Sequence, residues 1–213
     1  MSYPVTRRII PFLCRPLLGK CVGIKNIPID KGAILAANHS SYFDHLVVGC
    51  NIVPRLNKMV YFLAKRQHFD TFLQRQWHRY FKAIPLERES GGREALREAI
   101  EYLRRGDLIV IYPEGTRTLT GRMNRAKTGV VRLALAARVP ILPMGITNTF
   151  YILPKGKRFP KFGKKADLFI GESIYLDQHY GKDIDGRTLR EITTTIMKEI
   201  ARLSNQEYNF DAR

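Results

Sequence analysis

The chain has 213 residues, a length that suits one domain with a substantial hydrophobic core. Apolar residues make up 45% and charged residues 26%, which excludes intrinsic disorder as a general description. The 36 Lys and Arg exceed the 19 Asp and Glu by 17. Such a basic surface indicates a phosphate-bearing partner: nucleic acid, an anionic membrane or a phosphorylated substrate.

Cysteine usage and hydropathy narrow the class of protein further. Cys14, Cys21 and Cys50 are odd in number and form no CxxC pair, so we expect free thiols and neither a zinc site nor a disulfide framework. The apolar run before Arg15 is too short for a signal peptide. The longest uncharged stretch, residues 139–154, contains two prolines and falls short of a transmembrane helix, so we expect no bilayer-spanning segment.

Short apolar runs alternate with helical periods along the chain. The pattern predicts strands at 33–37, 60–64, 108–112, 141–146 and 167–174, and helices at 46–52, 70–81, 92–105, 129–138 and 189–203. This alternation predicts a single-domain α/β fold, with a mainly parallel or mixed central sheet flanked by helices and an N-terminal interfacial helical segment. Within the single domain 1–213, we distinguish an N-terminal amphipathic segment (1–30), a motif-bearing core (31–150), and a C-terminal part (151–213) with a basic loop, a late strand and a helix.

Polar residues follow three expected strand ends, after Ala37, Leu86 and Tyr112, where α/β proteins place their chemistry. His39 and Asp44 lie across a turn, and a carboxylate on one imidazole nitrogen fixes the tautomer that a general base requires. Taken alone, the pair is better explained by an ordinary strand end and a helix start. Pro-Glu-Gly-Thr-Arg, residues 113–117, is a tight turn whose hydroxyl and guanidinium suit phosphate oxygens, although a surface turn has the same local appearance.

Four blocks occur in a fixed order beside predicted strands: Asn-His-x4-Asp, Ile-Pro-Leu-x-Arg, Pro-Glu-Gly-Thr-Arg and Val-Pro-Ile-Leu-Pro. Together they resemble the glycerolphosphate and lysophosphatidate acyltransferase family, whose members carry a His-x4-Asp motif. The resemblance runs from about Ile34 to Ile146 and includes Ala64-Lys65 and Lys127-Thr128-Gly129 between the blocks. One departure is Lys82, which stands where the family's second block often begins with glycine; it leaves the backbone less free there and adds a positive charge.

The resemblance implies a mechanism and a set of site residues. His39 is the implied general base, oriented by Asp44, and the acceptor hydroxyl attacks an acyl thioester directly, without an acyl-enzyme intermediate. Coenzyme A or acyl carrier protein carries the acyl group as co-substrate, with no bound cofactor and no metal. The residues implied to hold the acceptor's phosphate are Arg88, Glu114, Gly115, Thr116 and Arg117. Because a carboxylate repels phosphate, we expect Glu114 to organise the loop or to meet a glycerol hydroxyl.

Lysophospholipids reside in membranes, so the resemblance also implies peripheral attachment to an anionic membrane surface, at its cytoplasmic face. Residues 155–165 hold six cations, two phenylalanines and no acid, a composition that favours anionic lipid, although a solvated basic loop is the plainer alternative. The N-terminal segment is a second candidate for membrane contact, or it packs on the domain.

Two other classes of function remain open from the residues. The net charge of +17 also suits nucleic-acid binding, but the chain shows no known nucleic-acid module and no nucleic-acid partner is expected. A metal-dependent phosphohydrolase built on His39, Asp44 and His45, with His68 or His78, ranks last because the ligand spacing matches no standard site.

Overall fold

The computed structural model describes residues 6–56, 58–65, 83–86 and 93–211. Within them, seven strands form one sheet: β1 (Leu18–Val22), β2 (Ala33–Ala37), β3 (Val60–Lys65), β4 (Ala83–Leu86), β5 (Leu108–Ile111), β6 (Ile141–Ile146) and β7 (Ala166–Ile170). Their order across the sheet is β1-β7-β6-β2-β5-β3-β4. Neighbouring strands are parallel except β6 and β7, which are antiparallel. The predicted α/β fold with a mainly parallel, mixed sheet is confirmed.

Helices cover both faces of this sheet. They are α1 (Thr6–Cys14), α2 (Phe43–Leu56), α3 (Arg93–Arg104), α4 (Gly129–Ala137), α5 (Thr149–Ile152) and α6 (Gly186–Ser204). Successive side chains of a strand point to opposite faces. Accordingly, Ile34 and Ala36 of β2 pack in a core with α3, α4 and α6, whereas Ala33, Leu35 and Ala37 pack in a second core with α2 and α5.

Most predicted elements lie where the periodicity places them, with shifted ends. Helix α2 begins at Phe43, earlier than expected, so Asp44 lies in its first turn. The late strand ends at Ile170 and not at Ile174. Ile174 forms an isolated bridge to Ile141 instead. Pro143 in β6 has no N–H to donate, but its carbonyl accepts from Gly171 N at 2.9 Å, in register with the antiparallel pairs of β6 and β7.

The N-terminal segment is divided and not uniformly helical. Among its described residues, helix α1 covers Thr6–Cys14, and Leu18–Val22 joins the sheet edge as β1, parallel to β7. Strand β4 contains the Ile-Pro-Leu residues of the second sequence block, which was expected to lie beside a strand. The predicted helix at 70–81 lies outside the described residues. No helix among those described combines the length and the apolar character that a membrane crossing needs.

Candidate active site

The parallel strands β2 and β5 are neighbours, so the turns that follow Ala37 and Ile111 meet at one edge of the sheet. Asn38 fixes the first turn to β6: its Nδ2 donates to Ile146 O at 2.9 Å, and its Oδ1 accepts from Ile146 N at 2.8 Å. These two bonds satisfy a fully buried amide side chain. The turn that carries His39 is therefore held rigidly against the sheet.

His39 and Asp44 are in direct contact. The Nδ1 of His39 lies 2.8 Å from Asp44 Oδ2, and this buried oxygen also accepts hydrogen bonds from Ser40 N and Ser41 N, each at 2.8 Å. A carboxylate at Nδ1 keeps the proton on that nitrogen, which leaves Nε2 with a free lone pair. Since the His39 side chain is 12% exposed, the imidazole is reachable from solvent while Asp44 is not. This geometry can remove a proton from a hydroxyl placed at Nε2.

An aromatic ring supports the imidazole from behind. Tyr112 stacks on His39 with ring centroids 3.9 Å apart and an interplanar angle of 16°. The Tyr112 hydroxyl shares a 2.7 Å hydrogen bond with His45 Nδ1, and burial raises the pKa of Tyr112 well above its usual range, so the phenol stays protonated. The sequence pattern does not predict that Tyr112 and His45 pair with each other and support the ring of His39. The one available signal is that Tyr112 directly precedes the Pro-Glu-Gly-Thr-Arg block.

Glu114 joins the two turns and does not face solvent. Its Oε1 accepts from His39 N at 2.8 Å and its Oε2 accepts from Asn124 N at 2.7 Å, while Thr118 N donates to His39 O at 3.0 Å. Burial raises the pKa of Glu114 to about 7, and the two backbone N–H donors partly oppose that shift. Both carboxylate oxygens are engaged within the chain, and their hydrogen bonds tie the two turns together.

The other residues of this block face outward at the same edge. Gly115 adopts a left-handed backbone with φ +68° and is exposed, as is Thr116. The guanidinium of Arg117 lies over the Tyr42 ring, 3.3 Å from its centroid, and its buried Nη1 has no hydrogen-bond partner among the described residues. Arg88 lies outside the described residues. It follows β4 closely in sequence, and β4 ends at the same sheet edge because it is parallel to β3.

The arrangement brings a candidate base beside a cationic loop. In the part of the chain that the structure describes, no three His, Cys, Asp or Glu side chains are grouped closely enough to hold a metal ion. The chemistry that the geometry supports is proton removal at His39 Nε2 next to an anionic group held near Arg117.

Comparison with known proteins identifies the class. The family model described as Acyltransferase matches residues 19–147, more than half of the chain. The protein therefore belongs to the acyltransferase family, and it is an enzyme of the 1-acylglycerol-3-phosphate O-acyltransferase-like type.

Individual relatives agree with this assignment. The chain is 28% identical over 151 residues to the 1-acyl-sn-glycerol-3-phosphate acyltransferase of Bacillus subtilis, covering 71% of each protein. It is 26% identical over 167 residues to a chloroplast 1-acyl-sn-glycerol-3-phosphate acyltransferase of Arabidopsis thaliana, covering 71% of this chain but only 46% of that protein. The crystal structure of PlsC, the 1-acyl-sn-glycerophosphate acyltransferase of Thermotoga maritima, superposes with a TM-score of 0.70 at 25% identity, covering 95% of this chain and 81% of that one.

Proposed function

We propose that this protein transfers a fatty acyl group from an acyl thioester to the free hydroxyl of lysophosphatidate, a step of phospholipid biosynthesis. The observation that carries the proposal is the 2.8 Å contact between His39 Nδ1 and Asp44 Oδ2 beside the loop that bears Arg117. Relatives named as 1-acyl-sn-glycerol-3-phosphate acyltransferases support this acceptor.

In the proposed mechanism, His39 Nε2 takes the proton of the acceptor hydroxyl as its oxygen attacks the thioester carbonyl carbon. A C–O bond forms, and the resulting tetrahedral intermediate collapses as the C–S bond breaks. The imidazolium then returns the proton to the departing thiolate, so the ester and a free thiol are the products. Asp44 stabilises the imidazolium and holds the ring orientation. No acyl-enzyme forms in this scheme.

The acceptor's phosphate is assigned to the cationic edge of the site. Arg117 offers a guanidinium fork that matches phosphate oxygens. Gly115 exposes its backbone because it has no Cβ, and Thr116 presents a hydroxyl group. Arg88 is the second proposed cation from the sequence blocks. Glu114 contributes by bracing the turns of His39 and Asn124. The step requires no metal and no bound cofactor, because the acyl thioester of coenzyme A or acyl carrier protein is itself the activated donor.

Thiol release tests the reaction and its base together. Wild type is given a long-chain acyl-CoA on anionic vesicles, with and without lysophosphatidate, and is compared with His39→Ala and Asp44→Asn. We expect acceptor-dependent release that His39→Ala lowers by at least about a hundredfold, the order of effect for a general base. His179→Ala, which changes a histidine of a 3-10 turn, is the matched control and should retain activity.

Each outcome of this assay is decisive for one part of the proposal. Release without acceptor would identify a thioesterase. Full activity of His39→Ala would exclude His39 as the base. If thiol release is absent, the assay is repeated with acyl carrier protein as donor and with other lysolipids. Absence of release with these substrates as well would overturn the proposed reaction.

We further propose that the acceptor is met at an anionic membrane surface, by a protein bound peripherally at the cytoplasmic face. Phe159 and Phe162 are 82% and 74% exposed within the basic loop 155–165, whose six cations are all exposed. Exposed aromatic rings among cations suit a surface of anionic headgroups and acyl chains. In α1, Phe12 and Leu13 are also exposed.

Contacts between helices connect the elements that carry these apolar side chains to the candidate site. Helix α2, which begins at the catalytic turn, contacts both α1 and α5, and the basic loop directly follows α5. Ser41 Oγ donates to Leu153 O at 2.6 Å, and Ser41 forms a bridge with Pro154. A bilayer docked on the loop would therefore lie beside the turn that carries His39.

Vesicle sedimentation tests the surface. The double variant Phe159→Ser, Phe162→Ser should lose most binding to phosphatidylglycerol-containing vesicles, whereas Ile29→Ser, at an equally exposed apolar side chain outside the loop, should bind as wild type does. Equal binding by all three proteins would exclude the loop. Binding of the wild type to acyl carrier protein instead of vesicles would identify the loop as a donor-docking surface.

A further inference from the structure

Lys127 lies outside the four sequence blocks, yet the fold brings it to the turn of residues 113–117, the candidate phosphate loop. Its backbone N donates to Pro113 O at 2.9 Å, and Asn124 N donates to Glu114 Oε2 at 2.7 Å, so the segment before α4 is bonded along the Pro113–Glu114 turn. The Lys127 side chain extends across Gly115. A Cβ at Gly115 would lie 3.6 Å from Lys127 Cε and 3.8 Å from Nζ.

The ammonium group of Lys127 is exposed and makes no ion pair with any described residue. The neighbouring carboxylate of Glu114 is turned inward onto the N–H groups of His39 and Asn124. No Asp or Glu occurs between Glu114 and Asp167 in the sequence. Two positive charges, those of Lys127 and Arg117, are thus present on one short loop without a carboxylate that neutralises them.

We propose that Lys127 is a phosphate-binding residue of this enzyme and that it holds a phosphate monoester over Gly115 together with Arg117. The left-handed Gly115 has no Cβ, so its backbone is open beside the Lys127 side chain. Arg117 supplies a planar fork and Lys127 a mobile point charge, which together surround a tetrahedral anion. The inference rests on the proposed acyl transfer. The monoester belongs either to the lysophosphatidate acceptor or to the 3′-phosphate of a coenzyme A donor.

Steady-state kinetics with each substrate varied separately distinguish the two sources. Lys127→Ala should raise KM for one phosphorylated substrate by about tenfold to a hundredfold, the effect of one charge-assisted hydrogen bond, with kcat changed less than KM. Lys127→Arg should recover most of the loss, because it restores a cationic donor. A rise confined to lysophosphatidate assigns the acceptor phosphate, and a rise confined to acyl-CoA that disappears with 3′-dephospho-acyl-CoA assigns the donor. Arg132→Ala, on the exposed side of α4, is the matched control.

A binding measurement separates failure of this inference from failure of the proposed reaction. Calorimetric titration with glycerol 3-phosphate and, separately, with adenosine 3′,5′-bisphosphate requires no turnover. We expect one of these anions to bind wild type and Arg132→Ala alike and to bind Lys127→Ala more weakly by a similar factor. If wild type transfers acyl groups while Lys127→Ala matches Arg132→Ala in both KM values, Lys127 has no role in phosphate binding. If wild type transfers none, the proposed reaction itself fails.

Discussion

Glu114 is a buried carboxyl group, 4% exposed, whose two oxygens each accept a backbone N–H from a different turn. Removing the carboxylate from water disfavours its charged form, which is why its pKa rises from an ordinary 4.5 to about 7. Between these two values the folded protein holds a proton that the unfolded chain releases. Stability contributed by this group is therefore highest at low pH and falls as pH rises from 4.5 to 7.

We expect Glu114→Gln to reduce this pH dependence. The free energy of unfolding of wild type should decrease across the window by up to about 1 kcal/mol per pH unit more than that of the variant. Urea unfolding at half-unit pH steps measures the difference, and the other ionisable groups cancel because both proteins contain them. Exposed Glu172→Gln is the control and should retain the wild-type slope. A slope that is unchanged in Glu114→Gln would contradict the raised pKa. The variant should also be less stable throughout, since an amide oxygen replaces only one of two acceptors.

Strand β6 and helix α6 pack closely together at a glycine, which has no side chain to separate them. Gly145 is buried in β6, and a Cβ there would overlap the backbone of Leu203 and Ser204 at the end of α6. The two nearest atoms, Leu203 C and Ser204 N, belong to the backbone of the helix, so neither can rotate away. The close packing of α6 on the sheet therefore requires glycine at this position.

We expect Gly145→Ala to lower the free energy of unfolding by about 1–3 kcal/mol, the usual range for overpacking a core. Gly49→Ala is the matched control, because Gly49 lies inside α2 with no atom near its missing Cβ. That change should be neutral or stabilising by about 0.5–1 kcal/mol, since alanine is the better helix former. Thermal or urea unfolding of both variants gives the comparison. Equal stability of the two proteins would mean that α6 shifts freely on β6.

At the scale of the whole molecule, the excess of 17 positive charges is unevenly distributed along the chain. Residues 115–166 contain cations without any acid, and this stretch includes both the phosphate loop and the basic loop 155–165. The charges proposed to attract the enzyme to an anionic surface and the charges proposed to bind its substrate therefore lie in one continuous segment.

We expect binding to phosphatidylglycerol-containing vesicles to weaken steeply as salt is raised from about 0.1 M to about 0.5 M, because screening shortens the range of surface charge interactions. Binding to phosphatidylcholine vesicles should be weak at both concentrations. Sedimentation at each salt concentration measures this. If binding depends on Phe159 and Phe162 but not on salt, the interaction is apolar and the cations do not contribute to it.

The local features of the chain were sufficient to predict its class. Strands β2, β3, β5 and β6 carry short apolar runs, and α3 has a clear amphipathic period. Each of these elements is therefore predictable from its own residues. The motifs at 38–44 and 113–117 directly follow two of these strands. Parallel strands end at a common edge, so both motifs were expected at that edge, while their adjacency follows from the pairing of β2 with β5.

Other features depend on residues that are distant in sequence and become neighbours only in the fold. The stacking of Tyr112 on His39, the brace from Glu114 to His39 and Asn124, and the position of Lys127 over Gly115 are of this kind. The edge strand β1 and the antiparallel direction of β7 likewise depend on long-range pairing. Hydrophobic periodicity reports which face of an element is buried, but it carries no information on which side chains meet there. Those contacts are decided by packing, and packing places the supporting residues around His39 and Asp44.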